Sequence, residues 1–195
     1  MTPRPLVFFD LETAGLEPDA EIIQLAAIAI EWPTFQELGT FERKIQFDES
    51  RAHPKALEVN HYDRAVWARE AEGQGTVLMA FSQWLRPFTC IPMTSKAGKP
   101  YKLAQMVGYN SEGFDSERIQ RAFKNNGIFY PAHYRTLDAL QLAAWDALDT
   151  GLVGPSLKLT DVCERMKLST TGAHDALVDV RMTIALVKWI MLCEV

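Results

Sequence analysis

Length, composition and charge already restrict the class of protein. The chain has 195 residues, 48% of them hydrophobic, and a formal net charge of −5 at pH 7. This size predicts one domain with a substantial core, and the apolar fraction excludes a disordered chain. No apolar run approaches the roughly 18 residues that span a membrane, and the N-terminus lacks the long apolar stretch of a secretory signal. The acidic balance argues against tight nonspecific binding to long duplexes. Bound cations would reverse the sign of an acidic site, however, so a nucleic-acid substrate stays open.

The cysteines indicate a reducing compartment. Cys90, Cys163 and Cys193 are odd in number and widely spaced. Such spacing is typical of neither a disulfide framework nor a zinc site. The sequence therefore predicts buried reduced thiols in a cytoplasmic protein that has no membrane partner.

The pattern of apolar residues predicts an α/β fold. Strands are predicted over residues 5–10, 22–31, part of 41–47, 106–110 and 134–137. Helices are predicted over residues 55–60, 74–85, 114–125, 138–148, 157–166 and 174–193. Because strands come first and strand–helix alternation follows, the order of elements favours a mixed sheet in an α/β layer.

An acidic pair follows the first predicted strand. Asp10 and Glu12 come directly after the apolar run 6–9. Residues two apart share one face of a strand, so the two carboxylates converge if the strand continues through Glu12. Acidic pairs are common on solvated surfaces, but the carboxyl end of a central strand is where α/β sheets bind ligands.

Two further positions could complete such a site. Asp115, near a predicted helix start, is explained either by the helix macrodipole or by a crevice that Asn110 also faces. On the last predicted helix, Asp175 and Asp179 share a face, whereas His174 and Asp179 lie about 140° apart on an ideal helix. His174 joins the acidic residues only if it lies in the preceding loop or the first turn. Four carboxylates and one imidazole suit two divalent cations and a base that activates water, which is the equipment for cutting phosphodiesters.

Three motifs in order give the sequence a resemblance to a known family. They are Phe9-Asp10-Leu11-Glu12-Thr13-Ala14-Gly15-Leu16, the segment from Asn110 to Phe114-Asp115, and His174-Asp175-Ala176-Leu177-Val178-Asp179. With these motifs the chain resembles the DEDDh 3′–5′ exonucleases, also called DnaQ-like, over essentially its whole length. The resemblance implies a ribonuclease H-like three-layer α/β fold, with a mixed five-stranded sheet flanked by helices. It also implies that residues 1–195 form a single exonuclease domain.

The resemblance assigns a role to each motif residue. The metal-binding carboxylates would be Asp10, Glu12, Asp115 and Asp179, holding two divalent cations, Mg²⁺ or Mn²⁺. His174 would be the general base, and Asp175 would only start the helix, against the bare helical geometry. The candidate substrate contacts are Thr13, Leu16, Asn60, His61 and Asn110.

The implied function is metal-dependent 3′–5′ hydrolysis of single-stranded or frayed DNA, with nucleoside 5′-monophosphates released by two-metal chemistry. The partner is then the 3′ end of a single-stranded nucleic acid, and an unidentified protein partner stays open. An exoribonuclease that trims RNA ends would use the same site, because the choice of sugar depends on one or two contacts to the 2′-hydroxyl. A non-catalytic nucleic-acid-binding module is disfavoured, since all five catalytic positions are filled.

The linker over residues 88–105 is long for this family and predicts a hairpin insertion. It carries Lys96, Lys99 and Lys102, with Tyr101 among them and no acidic residue. Lysines neutralise phosphates and an aromatic ring stacks on an unpaired base. The segment is therefore either a solvated hairpin or a grip on the substrate strand upstream of the scissile end.

Overall fold

The computed structural model describes residues 4–151 and 153–192, which form seven strands and seven α-helices. The strands are β1 (Arg4–Thr13), β2 (Ile22–Trp32), β3 (Gln36–Lys44), β4 (Thr89–Thr94), β5 (Pro100–Ala104), β6 (Met106–Gly108) and β7 (Leu137–Asp138). The helices are α1 (Pro54–Val59), α2 (Arg64–Glu70), α3 (Gln74–Leu85), α4 (Asp115–Asn125), α5 (Ala139–Thr150), α6 (Leu159–Arg165) and α7 (Ala176–Leu192).

Five of the strands form a mixed sheet in the order β3-β2-β1-β6-β7. The pairs β1–β2 and β2–β3 are antiparallel, whereas β1–β6 and β6–β7 are parallel. β1 lies at the centre, so its carboxyl end is flanked by strands on both sides. The predicted α/β class with a five-stranded mixed sheet is confirmed.

Several element boundaries differ from the sequence prediction. β1 continues to Thr13, where it pairs with Ile22, instead of ending at residue 10. Its polar residues break the apolar pattern because they face the site described below. β3 begins earlier, at Gln36, and β7 has only two residues. The sequence reading missed α2, which Asp63 caps and which buries a single side chain, Trp67.

The last helix also begins later than predicted. α7 starts at Ala176, and His174 precedes it with a backbone φ of 69°, in the left-handed region. His174 therefore lies in the loop before the helix. The predicted end at Cys193 lies outside the described residues, and the described helix ends at Leu192.

The pleat of β1 divides the core into two layers. Val7, Phe9 and Leu11 pack with α3 and α4 on one face of the sheet. Phe8 packs with Ala176 and further α7 side chains on the other face. Because side chains alternate along a strand, the even-numbered residues of β1 face α7, which places Asp10 and Glu12 on the α7 side.

The described cysteines are free thiols. Cys163 is buried, as predicted, whereas Cys90 is half-buried because it lies in the two-stranded β4–β5 ribbon outside the main sheet. Cys193 lies outside the described residues. Within 4–151 and 153–192, no helix is long and apolar enough to cross a membrane.

Residues 88–105 contain the predicted hairpin. β4 and β5 pair antiparallel with Met93 opposite Tyr101, and the exposed lysines flank the turn. The backbone N–H of Val7 donates to the carbonyl of Gln105 (3.0 Å), so β5 leads into the sheet near the amino end of β1. The acidic residues lie toward the carboxyl end. A grip of this hairpin on the substrate strand upstream of the scissile end stays a prediction.

Gly108, at the end of β6, offers a test of how tightly the loop toward Asp115 is packed. A methyl group there would lie 2.5 Å from Cβ of Ser111, whereas one at Gly113 would meet no atom within 4 Å. Gly108→Ala should lower the free energy of unfolding by about 1–3 kcal/mol through overpacking. Gly113→Ala is the matched control, and chemical denaturation measures both. Equal stability of the two variants would contradict this packing.

Candidate active site

Three carboxylates from two elements meet at the carboxyl end of β1. Oxygen atoms of Asp10, Glu12 and Asp179 all lie within 4.8 Å of one another. β1 presents the first two on one face, and α7 packs across that face with Asp179 in its first turn. Asp115, in the first turn of α4, is buried beside them, and its charge acts on Asp10. The structure thus brings together the four predicted metal-binding residues.

The start of α7 separates the roles of its two aspartates. Both oxygens of Asp175 are engaged: Oδ1 accepts from the backbone N–H groups of Leu177 and Val178, and Oδ2 accepts from Nε2 of Gln24 (3.2 Å). These backbone bonds are those of a helix N-cap. Asp179, one turn later, belongs to the carboxylate cluster instead.

His174 lies beside the cluster and remains accessible. It is exposed, and its backbone N–H donates to Oδ1 of Asp179 (3.2 Å). The left-handed backbone conformation places it outside the helix, so the 140° separation of an ideal helix does not apply. The imidazole is therefore held next to a carboxylate of the cluster while it stays open to solvent.

A groove of about 560 Å³ leads away from the cluster. Asp10, Asp179 and His174 line one end of it. Asn110 lines it too, and its backbone N–H donates to Oδ1 of Asp138 (2.8 Å). The remaining lining residues are Tyr109, Leu140, Leu157, Lys158, Leu159, Thr160 and Asp161. The sequence reading missed Lys158, because a single lysine before a helix carries no signal of its own.

Glu12 lines a second cavity, of about 330 Å³. Thr13 and Leu16, two of the predicted substrate contacts, line it together with Phe114. Asn60 also lines it, and its side-chain amide donates to the carbonyl of Thr13 (2.9 Å), which fixes the turn after β1. The other lining residues are Leu11, Gly15, Glu17, His53, Lys55, Ala56 and Val59.

His61 is the one predicted substrate contact that lines neither cavity. It follows Asn60, the C-cap of α1, in a left-handed conformation with φ 51° and is exposed. The helix has ended at this point, so the chain turns away from the cavity. Phe114 lines the 330 Å³ cavity, a role that the sequence did not predict although Phe114 belongs to the second motif.

The sequence matches the RNase T exonuclease family over residues 7–97 and 99–187, which include all three motifs. This chain belongs to that exonuclease family. The resemblance to the DEDDh, or DnaQ-like, exonucleases is therefore confirmed. Among curated proteins, none matches the sequence.

Solved structures of exonuclease I share the fold. E. coli exonuclease I in complex with a dT13 oligonucleotide gives a TM-score of 0.77 at 21% identity, covering 97% of this chain and 41% of that one. The zinc-bound complex of the E. coli enzyme with single-stranded DNA gives 0.78 at 20% identity, covering 98% and 41%. A complex of exonuclease I with SSB-Ct gives 0.74 at 19% identity, covering 96% and 40%. The chain thus spans about 40% of the length of these proteins.

Burial and like-charge repulsion raise the pKa of the carboxyl groups in this exonuclease site. Burial, then the charge of Asp115, raises the pKa of Asp10 well above its ordinary value. Burial and then Asp179 raise the pKa of Glu12 to about 8. Burial raises the pKa of Asp115 to about 7 against the opposing charge of Arg118. Burial also raises the pKa of Asp179.

This donor set fits a divalent cation. Carboxylate oxygens are the ligands that Mg²⁺ and Mn²⁺ prefer in proteins. Their spacing lets Asp10, Glu12 and Asp179 share one ion, and a bound cation would reverse the repulsion that raises their pKa values. The residues present therefore match the divalent-metal requirement of the exonuclease family.

Metal binding should stabilise the protein most at alkaline pH. Carboxyl groups whose pKa is raised on folding stabilise the native state below their unfolded pKa and lose that contribution as pH rises. For Glu12 and Asp115 the loss falls between about pH 4 and about pH 8. We expect the metal-free protein to weaken over this window and Mn²⁺ to stabilise it more at its upper end, because cations bind the ionised carboxylates.

Thermal unfolding with and without Mn²⁺, at about pH 5 and about pH 8, measures this difference. At about a hundredfold excess over the dissociation constant, the ion should add about 2.7 kcal/mol at the higher pH. Asp10→Asn is the control and should lose most of the gain. A gain that is equal at both pH values would contradict the expected coupling.

Proposed function

We propose that this chain is a metal-dependent 3′–5′ exonuclease that releases nucleoside 5′-monophosphates from single-stranded or frayed DNA 3′ ends. The observation that supports this most directly is the convergence of Asp10, Glu12 and Asp179 within 4.8 Å, in a chain of the exonuclease family. Asp115 beside them and His174 at the rim complete the set that such a reaction requires.

The four carboxylates would coordinate two cations. Asp10, Glu12 and Asp179 would hold one ion, and Asp10 would share a second with Asp115. When bound, such a pair supplies an activated water and stabilises the leaving oxygen of an in-line displacement. Asp10 lies among the other acids and lines the groove, which would suit it to bind both ions.

His174 would accept the proton of the attacking water on a ring nitrogen and pass it to solvent. Its exposure and its loop position support this role, since a base must pick up a proton at the cluster and then release it. The backbone bond to Asp179 keeps it within reach of the cluster. General-base catalysis of this kind contributes roughly 10²–10⁴-fold to the rate.

The two cavities would hold the strand on either side of the scissile bond. The 330 Å³ cavity, with Leu16 and Phe114 in its wall, would take the terminal nucleotide, because apolar and aromatic surfaces stack on a base. The groove with Lys158 and Asn110 would take the preceding backbone, where an ammonium group neutralises a phosphate. Solved complexes of E. coli exonuclease I with oligonucleotides support single-stranded DNA as the substrate.

We also infer that residues 1–195 act as a single exonuclease domain with 88–105 as a hairpin insertion. The family match runs through both hairpin strands and through nearly all of the main sheet. The central strand β1 contacts β2 on one side and β6 on the other, so both halves of the chain build one sheet.

A 5′-labelled oligonucleotide tests the proposed function. With Mg²⁺ or Mn²⁺ the label should appear in a ladder of products that shorten one nucleotide at a time, and EDTA should stop the reaction. DNA and RNA of the same sequence, assayed in parallel, decide the sugar preference. Asp10→Asn is the control for a contaminating nuclease. Internal cuts would contradict exonuclease action. Early release of the 5′ label as a mononucleotide would contradict 3′–5′ polarity.

Neutralising each aspartate of α7 separates a ligand from a helix cap. Asp179→Asn should abolish turnover, because an amide is a poor replacement for an ionised ligand of the cluster. Asp175→Asn should keep most turnover and cost less than about 1 kcal/mol of stability, since asparagine caps helices as well as aspartate does. Metal-dependent turnover and thermal unfolding of both variants check this. The opposite order of severity would show that Asp175 is the ligand.

A further inference from the structure

Arg118 is a buried cation between the two halves of the cavity wall. It lies in α4, one turn after Asp115, and only 6% of its surface is exposed. Its Nη2 donates to the carbonyl oxygens of Leu16 (2.8 Å) and Glu17 (2.9 Å). Its Nη1 donates to the carbonyl oxygen of Phe114 (3.3 Å). The guanidinium is thus used on backbone carbonyls from two separate segments of the chain.

The same side chain also stacks on one of the lining residues. The guanidinium carbon lies 3.5 Å from the centre of the Phe114 ring, within range of a cation–π contact. Phe114 and Leu16 both line the 330 Å³ cavity. Arg118 does not line that cavity itself, so it acts on the cavity through these two residues.

The loop that Arg118 holds is otherwise exposed. Leu16 is 81% exposed, and the residues that follow it up to Asp19 are exposed as well. An exposed loop with few buried contacts samples many conformations. The Nη2 atom of one rigid guanidinium fixes two successive carbonyls of this loop while the same planar group bonds to and stacks on Phe114. The compact ammonium of lysine has no planar fork and does not reproduce this combination.

We propose that Arg118 is a positioning residue that presets the wall of the terminal-nucleotide cavity, so that a 3′ end that carries a base is bound in preference to one that lacks it. This inference rests on the proposed exonuclease function. Arg118 fixes Leu16 through the loop and Phe114 through its ring, and a base inserted between them meets surfaces that are already ordered. A preset wall lowers the conformational cost of binding.

The test compares two single-stranded oligonucleotides that differ only in whether the 3′-terminal nucleotide is normal or abasic. Wild-type enzyme should show a lower KM for the normal end. In Arg118→Lys the KM for the normal end should rise by on the order of tenfold, within the range measured for base–aromatic stacking. The kcat and the KM for the abasic end should change little, because lysine keeps a positive charge near Asp115.

Arg121→Lys is the matched control, since it makes the same change one turn further along α4, at a residue that lines neither cavity of the site. In Arg121→Lys, the ratio of the KM for the abasic end to the KM for the normal end should equal that of the wild type. A merely structural role of Arg118 would lower activity on both ends alike and leave this ratio unchanged. A wild-type ratio in Arg118→Lys would therefore overturn the inference.

Leu16→Ala keeps the inference testable if Arg118→Lys fails to fold. The exposed side chain of Leu16 contributes little to folding. Its removal should lower the ratio of the abasic KM to the normal KM, as Arg118→Lys does. In the double variant the two effects should not add, because both act on one wall. A ratio in Leu16→Ala equal to that of the wild type would overturn the inference. A wild-type enzyme with the same KM for both ends would overturn it too. Failure of the proposed function itself is distinct, since wild-type enzyme would then degrade neither oligonucleotide.

Discussion

Repulsion among buried carboxylates at the carboxyl end of β1 is the constraint on which the site depends. Asp10, Glu12, Asp115 and Asp179 all have a raised pKa, chiefly because of burial. Neighbouring carboxylates add to the increase: the other cluster members act on Asp10 and Glu12, Asp138 acts on Asp115, and Asp175 acts on Asp179. An arrangement of this kind opposes folding near neutral pH unless a cation is bound. The rest of the molecule must therefore supply the stability that the site removes. It does so with two apolar layers, one on each face of the same strand.

The alternation of side chains along β1 lets one strand both pack the core and present the acidic residues of the site. Its odd-numbered residues pack against α3 and α4, whereas Phe8 packs against α7 and is followed on that face by Asp10 and Glu12. The transition from core to site thus occurs within one strand, without a loop between them. Pairing with β2 through Thr13 keeps the backbone rigid up to the turn, which makes the separation of the two carboxylates a property of the sheet.

The fold class and the acidic residues of β1 could be predicted from the sequence. The strands that build the sheet are short, apolar runs, and their period and order indicated an α/β fold. The acidic residues of β1 could be recognised because they follow such a run directly. Helical geometry alone, however, favoured Asp175 as the partner of Asp179 in the site. It could not show that the Asp175 oxygens accept hydrogen bonds from Leu177, Val178 and Gln24. Contacts between distant segments leave no local pattern, so the sequence could not predict that Lys158 lines the groove, that Arg118 bonds to the loop after β1, or that His61 lines neither cavity.

The position of Arg118 on α4 connects the two parts of the site. Residues three apart lie on the same face of a helix, so Asp115 and Arg118 are neighbours although one belongs to the carboxylate cluster and the other to the cavity wall. Burial lowers the pKa of Arg118 while the charge of Asp115 raises it, and Arg118 in turn opposes the raised pKa of Asp115. A displacement of the first turn of α4 would then move the Asp115 carboxylate and the Phe114 ring together. One turn of α4 therefore sets the positions of both the Asp115 carboxylate and the Phe114 ring. In the proposed exonuclease, this turn would hold a metal ligand and the wall of the terminal-nucleotide cavity in a fixed relation.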